Sequence, residues 1–298
     1  GRVSRRAEIA RCAARALERS DLGSRRALVG FDGFVDQIMD LVDVRTEMTL
    51  RGYRRIETLG ALSRRIGAAS GKSTNIEGVT REKRWGGNGP LLAGGVARLG
   101  MRTTYVGAVG REGDHRTLDP VFEPFASLCE RVVPIAAPGR TDAMEFSDGK
   151  LMVNHCGPVQ DVTWERIVGV VGLDAMREAV GRADLLGIVN WSLLGGVNGI
   201  WRGLIDGVLA RAPSRPSVFI DLSDPAKRTD EDLREGLALL GEMNGTAPVT
   251  LGLNLAEAER LCGLSAVSMG GARMAERVVA MATGLPFRAQ SHSSPHPS

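Results

Sequence analysis

Paired cysteines, lysine and long apolar runs are what this sequence has least of. Its four cysteines (Cys12, Cys129, Cys156, Cys262) make no C-x-x-C step. Neither a zinc site nor a disulfide framework is therefore indicated, and a reducing cytoplasm is the expected compartment. The four histidines (His115, His155, His292, His296) are scattered. Only His155-Cys156 invites a catalytic reading, and neighbours along a strand point to opposite faces. No apolar run reaches the roughly 18 residues that a membrane span needs, so no membrane partner is expected. A net charge of +3 is too small to indicate nucleic acid as a partner. Lysine occurs only at Lys72, Lys83, Lys150 and Lys227, arginine carrying the other positive charges, a bias of GC-rich coding. Two nucleotide fingerprints are also missing. The absence of G-x-x-x-x-G-K-[ST] excludes a Walker kinase. No G-x-G-x-x-G follows the first apolar strand; Gly30–Asp36 lacks it, and Gly87-Asn88-Gly89 comes too late for a Rossmann dehydrogenase.

What is present suits one large α/β domain: 298 residues, 43% hydrophobic and 24% charged. Residues 1–20 place Ile9, Ala13, Ala16 and Leu17 at helical spacing among arginines, a surface helix; Glu8 and Glu18 argue against a transit peptide. Arg26–Phe31 reads as a buried strand, and Tyr53–Ala69 as a helix with Ile56, Leu59, Leu62 and Ile66 on one face. A strand is expected at Arg102–Val109, a helix over 117–130 and a strand at Val132–Ala136. Thr141–Phe146 and Lys150–Asn154 flank Asp148-Gly149, a hairpin signal. Helices at 173–182, 199–211 and 230–241 then lead to strands Leu185–Val189, Val218–Asp221 and Val249–Leu253, with helices 255–262 and 270–283 after them. Strands separated by helices imply a mainly parallel sheet covered on both faces, with ligands beyond the C-terminal strand ends. That rim carries Asp32 and Asp36, Asn190, Asp221–Asp224 and Asn254. No internal repeat is seen. The domain is taken as 1–284, with lid elements near 37–50, 73–85 and 140–154; the polar residues 285–298 are expected as a disordered or out-of-frame tail.

The most informative stretch is Trp85-Gly86-Gly87-Asn88-Gly89-Pro90, a Gly-Gly turn opening into a small-residue helix that runs to Gly100. Glycines let backbone approach a ligand, and a helix start offers free N–H groups. Upstream, Gly30-Phe31-Asp32-Gly33-Phe34-Val35-Asp36 sets two carboxylates at a strand exit, where they can accept from sugar hydroxyls or serve as turn aspartates. Asn254-Leu255-Ala256-Glu257 follows a strand directly; taken alone it is a helix cap with Asn254 at the start and Glu257 three residues on. Asp221-Leu222-Ser223-Asp224-Pro225 leaves another strand, and Arg140-Thr141-Asp142-Ala143 precedes the hairpin.

In this order the segments resemble the ribokinase-like (PfkB) carbohydrate kinases over roughly residues 26–283. The resemblance implies a three-layer α/β/α fold with a small β lid, and ATP and Mg²⁺ as cofactors. It implies that Asp36, with Asp32 in reserve, grips sugar hydroxyls, that Gly86, Gly87 and Asn88 floor the pocket, and that Arg140 belongs to the covering lid. Asn254 and Glu257 match the family's N-x-x-E motif for magnesium and phosphate, Glu257 acting largely through water; Asp221 lies in a "D-x-N/D-x-R"-like strand exit. At what is Leu91 the family commonly carries asparagine, for which Asn88 is the substitute. The acceptor is a sugar, a related small polyol or a nucleoside, and pairing through the lid into a homodimer is common in the family.

The family's G-A-G-D segment, whose aspartate is the catalytic base, is missing after Glu257; the sole Gly-Asp step is Gly113–Asp114. No catalytic residue is therefore assigned. The sequence-based expectation is a truncated or frame-shifted, inactive form of a sugar kinase, a non-catalytic sugar- or nucleoside-binding pseudokinase being the alternative. Missing C-terminal strands would leave an apolar sheet edge exposed.

Overall fold

The computed structural model describes residues 5–264 and 288–292. In chain order the strands are β1 (Arg26–Phe31), β2 (Phe34–Arg45), β3 (Tyr53–Arg55), β4 (Gly78–Gly86), β5 (Arg102–Gly107), β6 (Gly110–Arg111), β7 (Asp114–Leu118), β8 (Arg131–Pro134), β9 (Gly139–Phe146), β10 (Gly149–His155), β11 (Leu185–Val189), β12 (Ser217–Asp221), β13 (Val249–Asn254) and β14 (Arg288–His292). The helices are α1 (Arg5–Glu18), α2 (Leu59–Gly67), α3 (Asn88–Arg98), α4 (Glu123–Ala126), α5 (Trp164–Val171), α6 (Leu173–Arg182), α7 (Val197–Gly207), α8 (Asp230–Thr246) and α9 (Leu255–Leu264).

The central sheet runs β14-β13-β12-β11-β1-β5-β8, and every neighbouring pair is parallel. Parallel strands need crossovers, and helices α3, α6, α7 and α8 supply them, so both faces are covered. On one face Leu28, Ile188, Ile220 and Leu251 pack with Trp201, Leu204 and Leu240. On the other, Ala27, Val29 and Tyr105 pack with Ala93, Phe122 and Phe125. Three successive buried residues in β1, Ala27-Leu28-Val29, are the sequence mark of a strand enclosed on both sides. The three-layer ribokinase-like architecture follows.

A second, five-stranded sheet runs β10-β9-β2-β3, with β4 also paired to β2. Its β2–β9 contact is parallel and its other pairs are antiparallel. β2 leaves β1 after only Asp32 and Gly33, so the end of the central sheet and the small sheet meet at that step.

Several boundaries differ from the sequence expectations. Tyr53–Ala69 divides into β3, which pairs with the end of β2, and α2, which starts where Thr58 accepts a hydrogen bond from Ala61 N at 3.0 Å. Residues 117–130 contain only the end of β7, a 3₁₀ turn and the four-residue α4, because Asp119-Pro120 and Pro124 punctuate them. Helix α5 was missed; its signal is Thr163, which caps Arg166 N at 3.2 Å. Within 285–298, Arg288–His292 pairs in parallel with Thr250–Asn254. The expectation of disorder therefore does not hold for these five residues. A ladder needs only backbone donors and acceptors, and no hydrophobic period announces it. The expected helix 270–283 lies outside the described residues.

Candidate active site

At the C-terminal ends of β1, β11, β12 and β13, under the small sheet, lies a cleft of about 590 Å³. Its walls take residues from each segment that the sequence singled out, though not Arg140 itself. Phe34 and Asp36 come from β2, Gly87, Asn88 and Leu91 from the start of α3, and Thr141, Met152 and Asn154 from the β9–β10 hairpin. Asn190, Ser192, Asp221, Ser223, Asp224, Lys227 and Glu257 complete it from the strand exits.

The floor is set by Asp32. It is fully buried and does not line the cleft. Its Oδ2 accepts from Asn88 N at 2.9 Å and Asn190 Nδ2 at 2.6 Å, and its Oδ1 from Gly89 N at 2.6 Å. A carboxylate at a helix N-terminus meets orphan N–H groups and the positive dipole end, so Asp32 fastens α3 to the end of β1. Tyr105 adds a hydroxyl bond to the Asp32 carbonyl. Burial pushes the Asp32 carboxyl up to about 6 despite its three donors. Gly87, at φ +97°, makes the turn into α3, where a Cβ would sit tightly at 3.1 Å from Asp32 and Gly33. The reserve role given to Asp32 as a sugar ligand does not match this geometry, since its oxygens are occupied by the fold.

Asp36 is the carboxylate that faces the cleft. Burial raises its pKa, with the Thr141 hydroxyl and Arg84 working against the rise. Gly86 lies behind it, where a Cβ would collide with the Asp36 carboxylate; Gly86 thus makes room rather than lining the cleft. Thr141 donates to Asn154 Oδ1 at 3.2 Å, setting a polar pair on the lid beside Asp36.

At the other end, Asn254 and Glu257 cap α9 reciprocally. Glu257 N donates to Asn254 Oδ1 at 3.0 Å, while Asn254 N and Nδ2 donate to the Glu257 carboxylate at 2.9 and 2.5 Å. Asn254 itself is exposed and only Glu257 reaches the cleft. Its carboxyl is pushed up to about 7, by burial first and then by the charges of Asp221 and Asp224, against the Asn254 N–H. Among the described residues Lys227 is the one cationic side chain of the cleft wall, and it lies 3.7 Å from Asp224. Ser223, at φ +67°, receives Asn88 Nδ2 on its hydroxyl and donates its own N–H to Asp221 Oδ1 at 2.7 Å, tying α3 to the β12 exit.

Arg140 is not brought to this cleft. Along β9 successive residues alternate, so Thr141 faces the cleft while Arg140 faces a separate cavity with Val35, Lys83 and His155. There Arg140 is bonded to Asp142 and His155, and His155 to Asp142 at 2.9 Å. Sequence reasoning missed Asn154, Ser192 and Lys227. Strand alternation from Thr141 would have found Asn154, whereas nothing local distinguishes Lys227 from a solvated cation. Among the described residues no three His, Cys, Asp or Glu side chains converge as a ready metal cage, and no helix is long and apolar enough to cross a membrane.

A family model described as prokaryotic ketohexokinase matches residues 4–291. The ketohexokinase of Haloferax volcanii is 31% identical over 255 residues, covering 84% of this chain and 65% of that protein, so the chain spans just under two-thirds of this relative's length. Among solved structures, ribokinase from Giardia lamblia aligns with a TM-score of 0.56 at 14% identity, covering 91% of this chain and 70% of that one. A phosphofructokinase-2 mutant from Escherichia coli gives the same TM-score and identity, with 91% and 73% covered. At that identity the two structures speak for the fold alone.

Proposed function

Because the chain belongs to the prokaryotic ketohexokinase family, we propose that its cleft takes a ketohexose at the Asp36 end and the phosphates of ATP at the Glu257 end. The observation that carries this reading is the meeting of Asp36, Asn88, Asp221 and Glu257 around one cavity. Asp36, held beside Thr141 and Asn154, accepts hydrogen bonds from sugar hydroxyls, and ionised acceptors make the stronger bonds. Leu91, Met152 and Phe34 give the sugar's carbon faces an apolar surface. Gly87 and Asn88 bring backbone and an amide to the same end.

The residues at the other end fit Mg²⁺. All the donors are oxygens, and Glu257 is held near neutral by burial and by two carboxylate neighbours, a situation that a divalent cation relieves. Magnesium keeps most of its waters and takes further oxygens from phosphates, so a cage is not required of the protein. Glu257 would hold the ion largely through water, beside the Asp221 and Asp224 charges, and the ion when bound would neutralise phosphate charge. Lys227 supplies a positive side chain to the same phosphates.

Phosphoryl transfer also needs a group to take the acceptor proton and preorganised donors for the phosphoryl oxygens. These 298 residues contain no G-A-G-D segment after Glu257. We infer that these 298 residues by themselves bind the acceptor without turning it over; a non-catalytic binding protein is the second reading. A coupled ATPase assay on the 298-residue chain with ketohexoses, aldoses and nucleosides tests this. No turnover above background is expected, together with a thermal shift for ketohexoses; robust turnover abolished by Asp36→Ala would overturn the inactive reading. A nucleoside acceptor is the variant within the enzyme class, decided by the same panel. Location in cytoplasm and pairing through the lid, where β10 exposes Leu151 and Val153, belong to this proposal as well.

A further inference from the structure

Asn190 stands one residue beyond β11 with φ +67°, a conformation that asparagine tolerates better than most side chains. It is 2% exposed and forms part of the cleft wall. The backbone around it is fixed: Trp191 N donates to Asp221 O, Leu193 N donates to Asn190 O, and the Trp191 ring is covered by Arg228 at 4.5 Å.

The side-chain amide has two unlike ends. Nδ2 donates to Asp32 Oδ2 at 2.6 Å, whereas Oδ1 is buried without any partner. Asp32 also accepts from Asn88 N and Gly89 N, so a carboxylate serving three donors has no proton to offer the amide oxygen. Reversing the amide would set oxygen against oxygen. Asn190 lines the cleft and Asp32 does not, and Oδ1 is the amide atom that the fold leaves unpaired. A buried acceptor without a partner carries a desolvation penalty that a ligand donor recovers.

We propose that Asn190 Oδ1 accepts one hydroxyl of the bound sugar and so helps to select it, and that Asp32 is the positioning residue that fixes which end of the Asn190 amide faces the ligand. This rests on the cleft being a sugar pocket. It gives the pocket two acceptors of different kinds, the Asp36 carboxylate on the lid and the Asn190 carbonyl on the central sheet. A hydroxyl between them must donate, which discriminates against acceptor-only groups at that position. Asp32 thereby serves recognition without touching the ligand.

The test is calorimetric titration of the full chain with D-fructose and its monodeoxy and deoxyfluoro analogues, fluorine being unable to donate. In the wild type, analogues altered at a contacted hydroxyl bind more weakly, by about tenfold for a lost bond. In Asn190→Gly, which accommodates the positive φ, fructose itself weakens by about that factor. At one position the deoxy and fluoro analogues then bind as well as fructose does, while the Asp36-dependent positions keep their penalties. A merely structural role would weaken all the ligands alike. Should Asn190→Gly fail to fold, Asn190→Ser, whose hydroxyl is too short to replace the carbonyl, is read in the same way. An unchanged discrimination pattern overturns the inference while the sugar pocket stands. A folded wild type that binds none of these sugars overturns the pocket reading, and the inference with it.

Discussion

Two aspartates four residues apart are given opposite work by their surroundings. Asp36 faces the cleft; Asp32 is consumed by the fold. The buried one has a consequence for stability. In the folded chain its carboxyl titrates at about 6, against 3.8 for the ordinary group. Between those values the folded state holds a proton that the unfolded state has released, so the contribution of Asp32 to stability falls as pH rises through this window and is constant above it. Asp32→Asn does not titrate. Urea denaturation of both proteins from pH 4 to pH 7 should show their difference moving in favour of the variant by at most about 3 kcal/mol. The movement should be complete by neutral pH. A difference that stays flat across the window would contradict the burial argument. Nothing in the sequence separates these two roles, because both aspartates follow the same strand and the distinction is made by Asn190, 158 residues away from Asp32.

At the start of helix α9 one side chain of a capping pair, Glu257, also reaches the cleft wall. Asn254 and Glu257 close the start of the helix reciprocally, an arrangement worth about 1 kcal/mol. Glu257→Gln keeps a side chain that can serve the cap while removing the charge. Its stability should change by less than about 1 kcal/mol, because a buried, crowded charge is lost along with part of the cap. Mg²⁺-dependent ATP binding should weaken about tenfold or more, since a carboxylate is the ligand that Mg²⁺ favours. Equal nucleotide affinity in the two proteins, measured by titration with and without EDTA, would remove Glu257 from the phosphate end. The cap was legible because its two residues lie three apart on one turn. The lid was legible only in part. Alternation placed the hairpin at Asp148-Gly149, yet which face looks inward depends on β2 lying beside β9 in parallel, and that pairing sends Thr141 to the cleft and Arg140 away from it.

For the whole molecule, the alternation of helices and buried strands was enough to give a parallel sheet and the rim on which ligands sit. What remained hidden is whatever depends on partners far along the chain. The strand Arg288–His292 has no apolar period and is defined by its register against β13. Likewise, β3 is cut from an apparent helix by pairing with β2. The chain belongs to the prokaryotic ketohexokinase family, and the proposal that its cleft holds a sugar rests on that relation and on the residues meeting there. The most direct test is calorimetric titration of the 298-residue chain with D-fructose, beside Asp36→Ala. One sugar per chain is the predicted result. In the variant, loss of charge-assisted bonds costs about 1.5–3 kcal/mol, or roughly 10- to 150-fold in affinity. A folded chain that takes up no ketohexose, or binds it equally well without the Asp36 carboxylate, would contradict the account.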